Sequence, residues 1–132
     1  MPVETDVYSE VLDVIENYIE GCATLSAERI RSVFHTDAQL FGRFAGKTVV
    51  FPIEAWIDRV TGNPQPAADA KVTPPPAKGP AWTVDSVDFD ENIARAVVVS
   101  RFLDVRYTDY MTLLQTDDGW KIVNKTFTYE KA

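Results

Sequence analysis

The C-terminal half of this chain reads as four consecutive β-runs, near residues 82–89, 93–104, 107–116 and 120–129. Turn residues separate them at Asp90-Glu91-Asn92 and Asp117-Asp118-Gly119. An Asp-Gly step between β-type runs is a strong hairpin signal. A meander of this length has two faces, and what can cover one of them lies upstream. From Asp6 to Cys22, the residues Val7, Val11, Val14, Ile15, Tyr18 and Cys22 recur at three- and four-residue spacing, and Tyr8, Leu12 and Ile19 widen the stripe. Acids hold the other face, which is the pattern of an amphipathic helix. Gly21 weakens that helix. Ser26 then suits the N-cap of a second helix, with Glu28 in its first turn and Ile30, Val33 and Phe34 facing inward. This helix is expected to stop near His35-Thr36-Asp37.

Two short β-type runs, Ala38–Arg43 and Lys47–Phe51, follow, joined through the turn at Gly46. Pro52 suits the first position of a third helix, where its missing N–H goes unused. Ile53, Trp56, Ile57 and Val60 form that helix's apolar face, and Gly62 ends it. Residues 64–80 contain six prolines and read as a loop beside the mouth of the fold, a candidate lid, rather than as a domain linker. Three helices followed by an antiparallel meander make an α+β fold. With 132 residues the chain is expected to form one domain, since domains typically hold about 100–150 residues. The run Ala96-Val97-Val98-Val99 suggests a strand covered on both sides, and helices can cover only one. The second cover is therefore expected to be a partner chain.

Charge and rare residues exclude several functions. The net charge is −7, and residues 1–28 hold seven acids and no Lys or Arg, so the imbalance lies in that segment. Such a chain repels phosphate backbones and shows no basic run with interleaved aromatics, which argues against nucleic acid. No apolar run reaches the ~18 residues of a membrane span. The N-terminus lacks a basic region followed by an apolar one, so a cytoplasmic location is expected. A single cysteine, Cys22, and a single histidine, His35, preclude an internal disulfide and a thiolate–imidazole metal centre. No phosphate loop or dinucleotide fingerprint is present, and no cofactor is expected.

The order helix, helix, FHTDAQLFG, short strands, Pro-started helix, and a meander ending YTDYMTLLQTDDGWKIVNKTF resembles the nuclear transport factor 2-like superfamily across essentially the whole chain. Asp109-Tyr110 ahead of Leu113-Leu114, with Gly119-Trp120-Lys121-Ile122-Val123-Asn124-Lys125, most resembles the branch called putative lumazine-binding proteins. The resemblance implies a cone in which helices close the concave face of a curved, mostly antiparallel sheet and leave a pocket. It also implies homodimers through the opposite face. Catalytic members of that superfamily use a Tyr with two carboxylates, a His or Asp base, or a His–Asp pair.

Strand alternation puts Tyr110, Thr112 and Leu114 on one face and Asp109, Met111 and Leu113 on the other. In the last strand it sets Trp120, Ile122, Asn124 and Thr126 against Lys121, Val123, Lys125 and Phe127. Related families carry polar, ligand-facing residues at positions matching Thr112, Asn124 and Thr126, which turns that parity toward the interior. The expected ligand-binding set is then Tyr18, Phe41, Trp56, Arg101, Tyr110, Thr112 and Asn124, with Met111 and Leu113 near the dimer centre. Arg101 suits a carboxylate or enolate, since guanidinium pairs bidentately with such oxygens; the bland alternative is a surface or interface ion pair. Tyr18 and Trp56 have core packing as their alternative. Candidate catalytic groups are His35, Asp37 and Asp109. His35 has the titration range of a general base and Asp37 could orient it, against a capping role at the helix end. Cys22 reads as a buried, inert thiol. Asp109 and Tyr110 have opposite parity, so no full base-plus-oxyanion set assembles. Three functions stand open: a binder of an unknown small molecule, placed first; a cofactor-free isomerase, dehydratase or cyclase; and a dimeric association module.

Overall fold

The computed structural model describes residues 4–44, 46–61, 82–102 and 105–131; the proline-rich stretch read as a loop at 64–80 lies outside the described residues. In chain order the elements are α1 (Glu4–Ala23), α2 (Ala27–Val33), β1 (Phe34–Phe44), β2 (Lys47–Pro52), α3 (Ile53–Thr61), β3 (Trp82–Asp90), β4 (Ile93–Phe102), β5 (Val105–Thr116) and β6 (Gly119–Lys131). The six strands form one curved sheet in the order β2-β1-β6-β5-β4-β3. Every neighbouring pair is antiparallel except β1 and β6. This is the α+β architecture expected from the sequence, with helices packed on one sheet face. No helix among the described residues is long and apolar enough to cross a membrane.

Local chemistry sets the element ends. Beyond α1, Leu25 takes a positive φ of 55°, the left-handed conformation that reverses a helix end. The Ser26 N–H donates to the Gly21 carbonyl at 2.9 Å and the Leu25 N–H to the Cys22 carbonyl at 3.3 Å, which is a Schellman closure. Ser26 serves twice, since its hydroxyl also accepts from the Arg29 N–H at 3.2 Å and caps α2. Gly21 permits close approach of the two helices: a Cβ there would come within 2.9 Å of the Ile30 side chain. Hairpin turns at Gly46 (φ 79°) and Gly119 (φ 100°) use the positive φ that glycine adopts without strain.

Two boundaries differ from the sequence reading. The chain turns extended at Phe34 (φ −105°, ψ 146°), so α2 ends at Val33 and His35, Thr36 and Asp37 belong to β1. Pro52 closes β2 rather than opening α3. Its fixed φ suits either role, and its N–H-free nitrogen suits an edge strand.

The larger correction concerns strand faces. In the β5–β6 pairing Thr112 lies opposite Asn124 but Leu113 lies opposite Ile122, so Val123 is an extra residue, a β-bulge. One inserted residue reverses which side chains face the core beyond it. Trp120 and Ile122 point at the helices before the bulge, and Lys125 takes that face after it. The side of β5 facing the helices carries Asp109, Met111 and Leu113, all buried, while Tyr110, Thr112 and Leu114 are exposed on the open side. Met111 and Leu113 are therefore core residues and cannot centre a dimer interface.

Gly42 on β1 lies beside Phe127 of β6 on the core side. A Cβ at Gly42 would overlap the Phe127 ring, so the ring lies directly over bare backbone. Gly42→Ala should cost about 1–3 kcal/mol, the usual range for overpacking. A urea midpoint unchanged from the parent protein would show that Phe127 can move aside freely.

Candidate functional site

The chemistry-bearing side chains converge beneath α1. Tyr18 reaches from the buried stripe of α1 to the sheet, where its hydroxyl donates to Asp109 Oδ2 at 2.7 Å and accepts from Lys125 Nζ at 2.8 Å. Lys125 Nζ stands 3.8 Å from the same carboxylate oxygen, beyond hydrogen-bonding distance, so the phenol bridges the two charges. Exposures of 2% for Tyr18, 6% for Asp109 and 4% for Lys125 put all three inside the protein. Asp109 and Lys125 come from adjacent strands on the same face, and the β6 bulge is what turns Lys125 inward.

Aromatic rings enclose this centre. Lys125 Nζ lies 4.0 Å from the Trp56 ring centroid and 5.2 Å from those of Tyr18 and Phe127, a cation–π arrangement. Tyr18 stacks on Trp56 at 6.3 Å and meets Phe34 and Trp82 edge-on at 6.0 and 6.4 Å. Burial, reinforced by the neighbouring Asp109 carboxylate, pushes the Tyr18 hydroxyl well above its ordinary value. The phenol therefore stays protonated at neutral pH and can serve as a donor. Burial likewise pushes the nearby Cys22 thiol up to about 12, against a partial lowering by Lys125. Cys22 is thus a protonated, unreactive packing residue.

The other expected site residues lie elsewhere. Tyr110, Thr112 and Asn124 do come together, with Thr126, Ser86 and Arg95, in a groove of about 360 Å³, but on the sheet face turned away from the helices. The Asn124 amide is held there, donating to the Gln39 carbonyl at 3.1 Å and accepting from Thr126 at 3.2 Å. Phe41 is exposed on the same side, and Arg101 is exposed as well, so neither joins Tyr18 and Trp56. His35 is half-buried on β1, and its Nδ1 accepts from the Asp37 backbone N–H at 3.0 Å. The Asp37 contact is thus through its main chain, while its side chain is exposed. Among the described residues no cluster of His, Cys, Asp and Glu is placed to hold a metal ion.

Sequence reasoning missed Lys125, because lysine is ordinarily a surface residue. The sequence offers little signal for it, since both faces of β5 carry apolar residues and the turn of Lys125 toward the core depends on the bulge at Val123.

The fold is that of a nuclear transport factor 2-like protein. Solved structures agree. The chain is similar to such proteins of unknown function from Shewanella baltica OS155 (21% identity, all of both chains, TM-score 0.81) and Silicibacter pomeroyi DSS-3 (19%, 98% of this chain and 100% of that one, 0.79). A third, from Methylobacillus flagellatus KT, is 25% identical over 97% of this chain and 95% of its own, with a TM-score of 0.77. Within that class the family described as Putative lumazine-binding matches residues 6–128, and the chain belongs to it. No curated protein matches the chain.

Proposed function

We propose that this protein binds a small, planar organic molecule on the helix-covered side of the sheet, with Lys125, Tyr18 and Asp109 as the polar contacts and Trp56, Phe34 and Phe127 as the apolar walls. The observation that carries this reading is the buried Tyr18–Asp109–Lys125 trio. Replacing a buried ion pair with apolar residues of similar size is often neutral or stabilising, so packing alone gives little reason to keep one. Titratable groups buried together in an aromatic enclosure mark functional sites. Lys125 also has donor capacity to spare: of its three protons, one meets an acceptor within hydrogen-bonding distance among the described residues. A carbonyl or anionic oxygen of the ligand would take another. The family's description supports a heterocycle such as lumazine, which presents ring carbonyls as acceptors and ring N–H groups as donors.

Lumazine is therefore the probe. Added to the full chain it should quench tryptophan fluorescence saturably, because Trp56, Trp82 and Trp120 are all buried on this side. Lys125→Met should weaken binding at least tenfold, in line with the roughly 1.5–3 kcal/mol of a charged hydrogen bond. Absence of saturable quenching, together with no small molecule retained by the purified protein in native mass spectrometry, would refute this reading.

Assembly belongs to the same proposal. Phe41, Ile93 and Tyr110 are 40, 51 and 62% exposed on the open side of the sheet, an apolar surface that a second copy of the chain would cover in a homodimer. Light scattering at micromolar concentration should give the dimer mass, and Tyr110→Lys should shift it toward the monomer. A monomer for the parent chain at that concentration rules the dimer out.

A further inference from the structure

We propose that the Lys125 amine is a covalent ligand anchor, forming a reversible imine with the carbonyl carbon of an aromatic aldehyde. This rests on the reading of the Tyr18–Asp109–Lys125 centre as a ligand site, and it adds the substrate class and the bond formed there.

The geometry differs from that of a simple buried ion pair. A lysine kept only to neutralise an aspartate would meet the carboxylate directly, whereas here the Tyr18 hydroxyl stands between them, 2.8 Å from the amine and 2.7 Å from Asp109 Oδ2. This is a continuous path for a proton from nitrogen through the phenol to a carboxylate. Nucleophilic lysines are found in such desolvated, apolar surroundings with an acid–base partner at hand. Two other lysines lie among the described side chains: Lys47 is exposed, and Lys121 is half-buried with its Nζ on the Ser32 carbonyl at 2.8 Å. Among the described residues neither touches a phenol or carboxylate that could relay a proton.

The chemistry balances without an oxidant or reductant. Lys125 gives one proton to the Tyr18 oxygen while Tyr18 passes its own to Asp109, leaving a neutral amine. The nitrogen lone pair attacks the aldehyde carbon, forming the C–N bond, and the carbonyl π pair moves to oxygen, which takes the proton back along the same path. One of the two protons still on nitrogen relays to that hydroxyl, which leaves as water while the nitrogen lone pair closes the C=N bond and the other proton stays on nitrogen. The net change is ammonium plus aldehyde to iminium plus water. The iminium is again a cation at the position Nζ now occupies, so it keeps the cation–π contact with Trp56. The raised Tyr18 hydroxyl is protonated at neutral pH, the form this step requires of it. An aromatic substituent on the carbonyl suits the Phe34, Trp56 and Phe127 rings.

The test uses benzaldehyde with sodium cyanoborohydride on the full chain, with peptide mapping to find each reduced adduct. Labelling at Lys125 should exceed that at Lys47 and Lys121 by about tenfold or more, and Tyr18→Phe should slow Lys125 labelling by about tenfold or more while leaving Lys47 unchanged, a modest share of the ~10²–10⁴-fold that positioned proton transfer supplies. Asp109→Asn, which keeps the shape of the site, should slow it as well. Labelling of Lys125 no faster than of Lys47 overturns the proposal, whether the cause is an unreactive amine or a closed site, and so does a wild-type rate in both variants. The lumazine titration separates the two claims. Saturable lumazine binding without selective Lys125 labelling retains the binding site and removes the imine. Selective labelling that lumazine suppresses supports both.

Discussion

Asp109→Ala should lower the unfolding free energy by about 3–5 kcal/mol, the usual cost of leaving one partner of a buried ion pair uncompensated. Lys125 is 4% exposed, so without the carboxylate its ammonium keeps the Tyr18 hydroxyl and the aromatic rings but has no counter-charge. Tyr18 loses its acceptor in the same step, which adds an unsatisfied buried donor. Removing both charges together should behave differently. Asp109→Leu combined with Lys125→Met replaces the pair by apolar side chains among Met111, Leu40 and Trp56, which are themselves buried, and should recover most of the loss. The coupling energy from this cycle, read from urea unfolding of the singles and the double, should exceed about 2 kcal/mol. A loss below about 1 kcal/mol for Asp109→Ala would mean that the ammonium finds water or another acceptor, and that the trio is not sealed from solvent. If the double variant folds at least as stably as the parent yet fails to quench with lumazine, stability and ligand recognition have been separated at one site.

The elements of the fold were legible because each has a local cause. The apolar stripe through Val11, Ile15 and Tyr18 makes α1 and sets its buried side; Ser26 caps α2; Asp118-Gly119 turns β5 into β6. The site was less legible because it depends on which way strands face. On β5 the two parities look alike in hydrophobicity, Tyr110 and Leu114 against Met111 and Leu113, so alternation alone does not orient the strand. On β6 the single inserted residue Val123 separates Ile122 from Asn124, and nothing in the run Trp120-Lys121-Ile122-Val123-Asn124 announces it. The effect carries along the strand: unbroken alternation puts Asn124 and Thr126 inside and Lys125 outside, and the bulge reverses all three. Residues on helices were easier. Tyr18 and Trp56 lie on faces fixed by a 3.6-residue period, and both are buried side by side where the sheet reaches them. The end of α2 at Val33, two residues earlier than the sequence suggests, places His35 on a strand rather than at the helix end.

The same burial makes alkaline pH the condition under which this protein should fail. Cys22 is pushed from 9.0 to about 12 and Tyr18 well above 10.0, while in the unfolded chain both ionise near those ordinary values. Between the two values the unfolded state has released a proton that the folded state still holds. Stability contributed by each group is therefore complete below the ordinary value and is lost as pH rises through the interval, at about 1.4 kcal/mol per pH unit per group. From pH 9 to pH 11 this amounts to about 2.7 kcal/mol from Cys22, and the raised Tyr18 hydroxyl adds in the same direction above pH 10. Urea unfolding at stepped pH should show the decline beginning near pH 9 and steepening past pH 10. Cys22→Ser should flatten the first part, and Tyr18→Phe the second, each by about one group's slope. A parent protein equally stable at pH 8.5 and pH 11 would require Cys22 and Tyr18 to ionise in place. That would mean a site open enough to hydrate a thiolate and a phenolate beside the Asp109 carboxylate, at odds with the burial of all three residues.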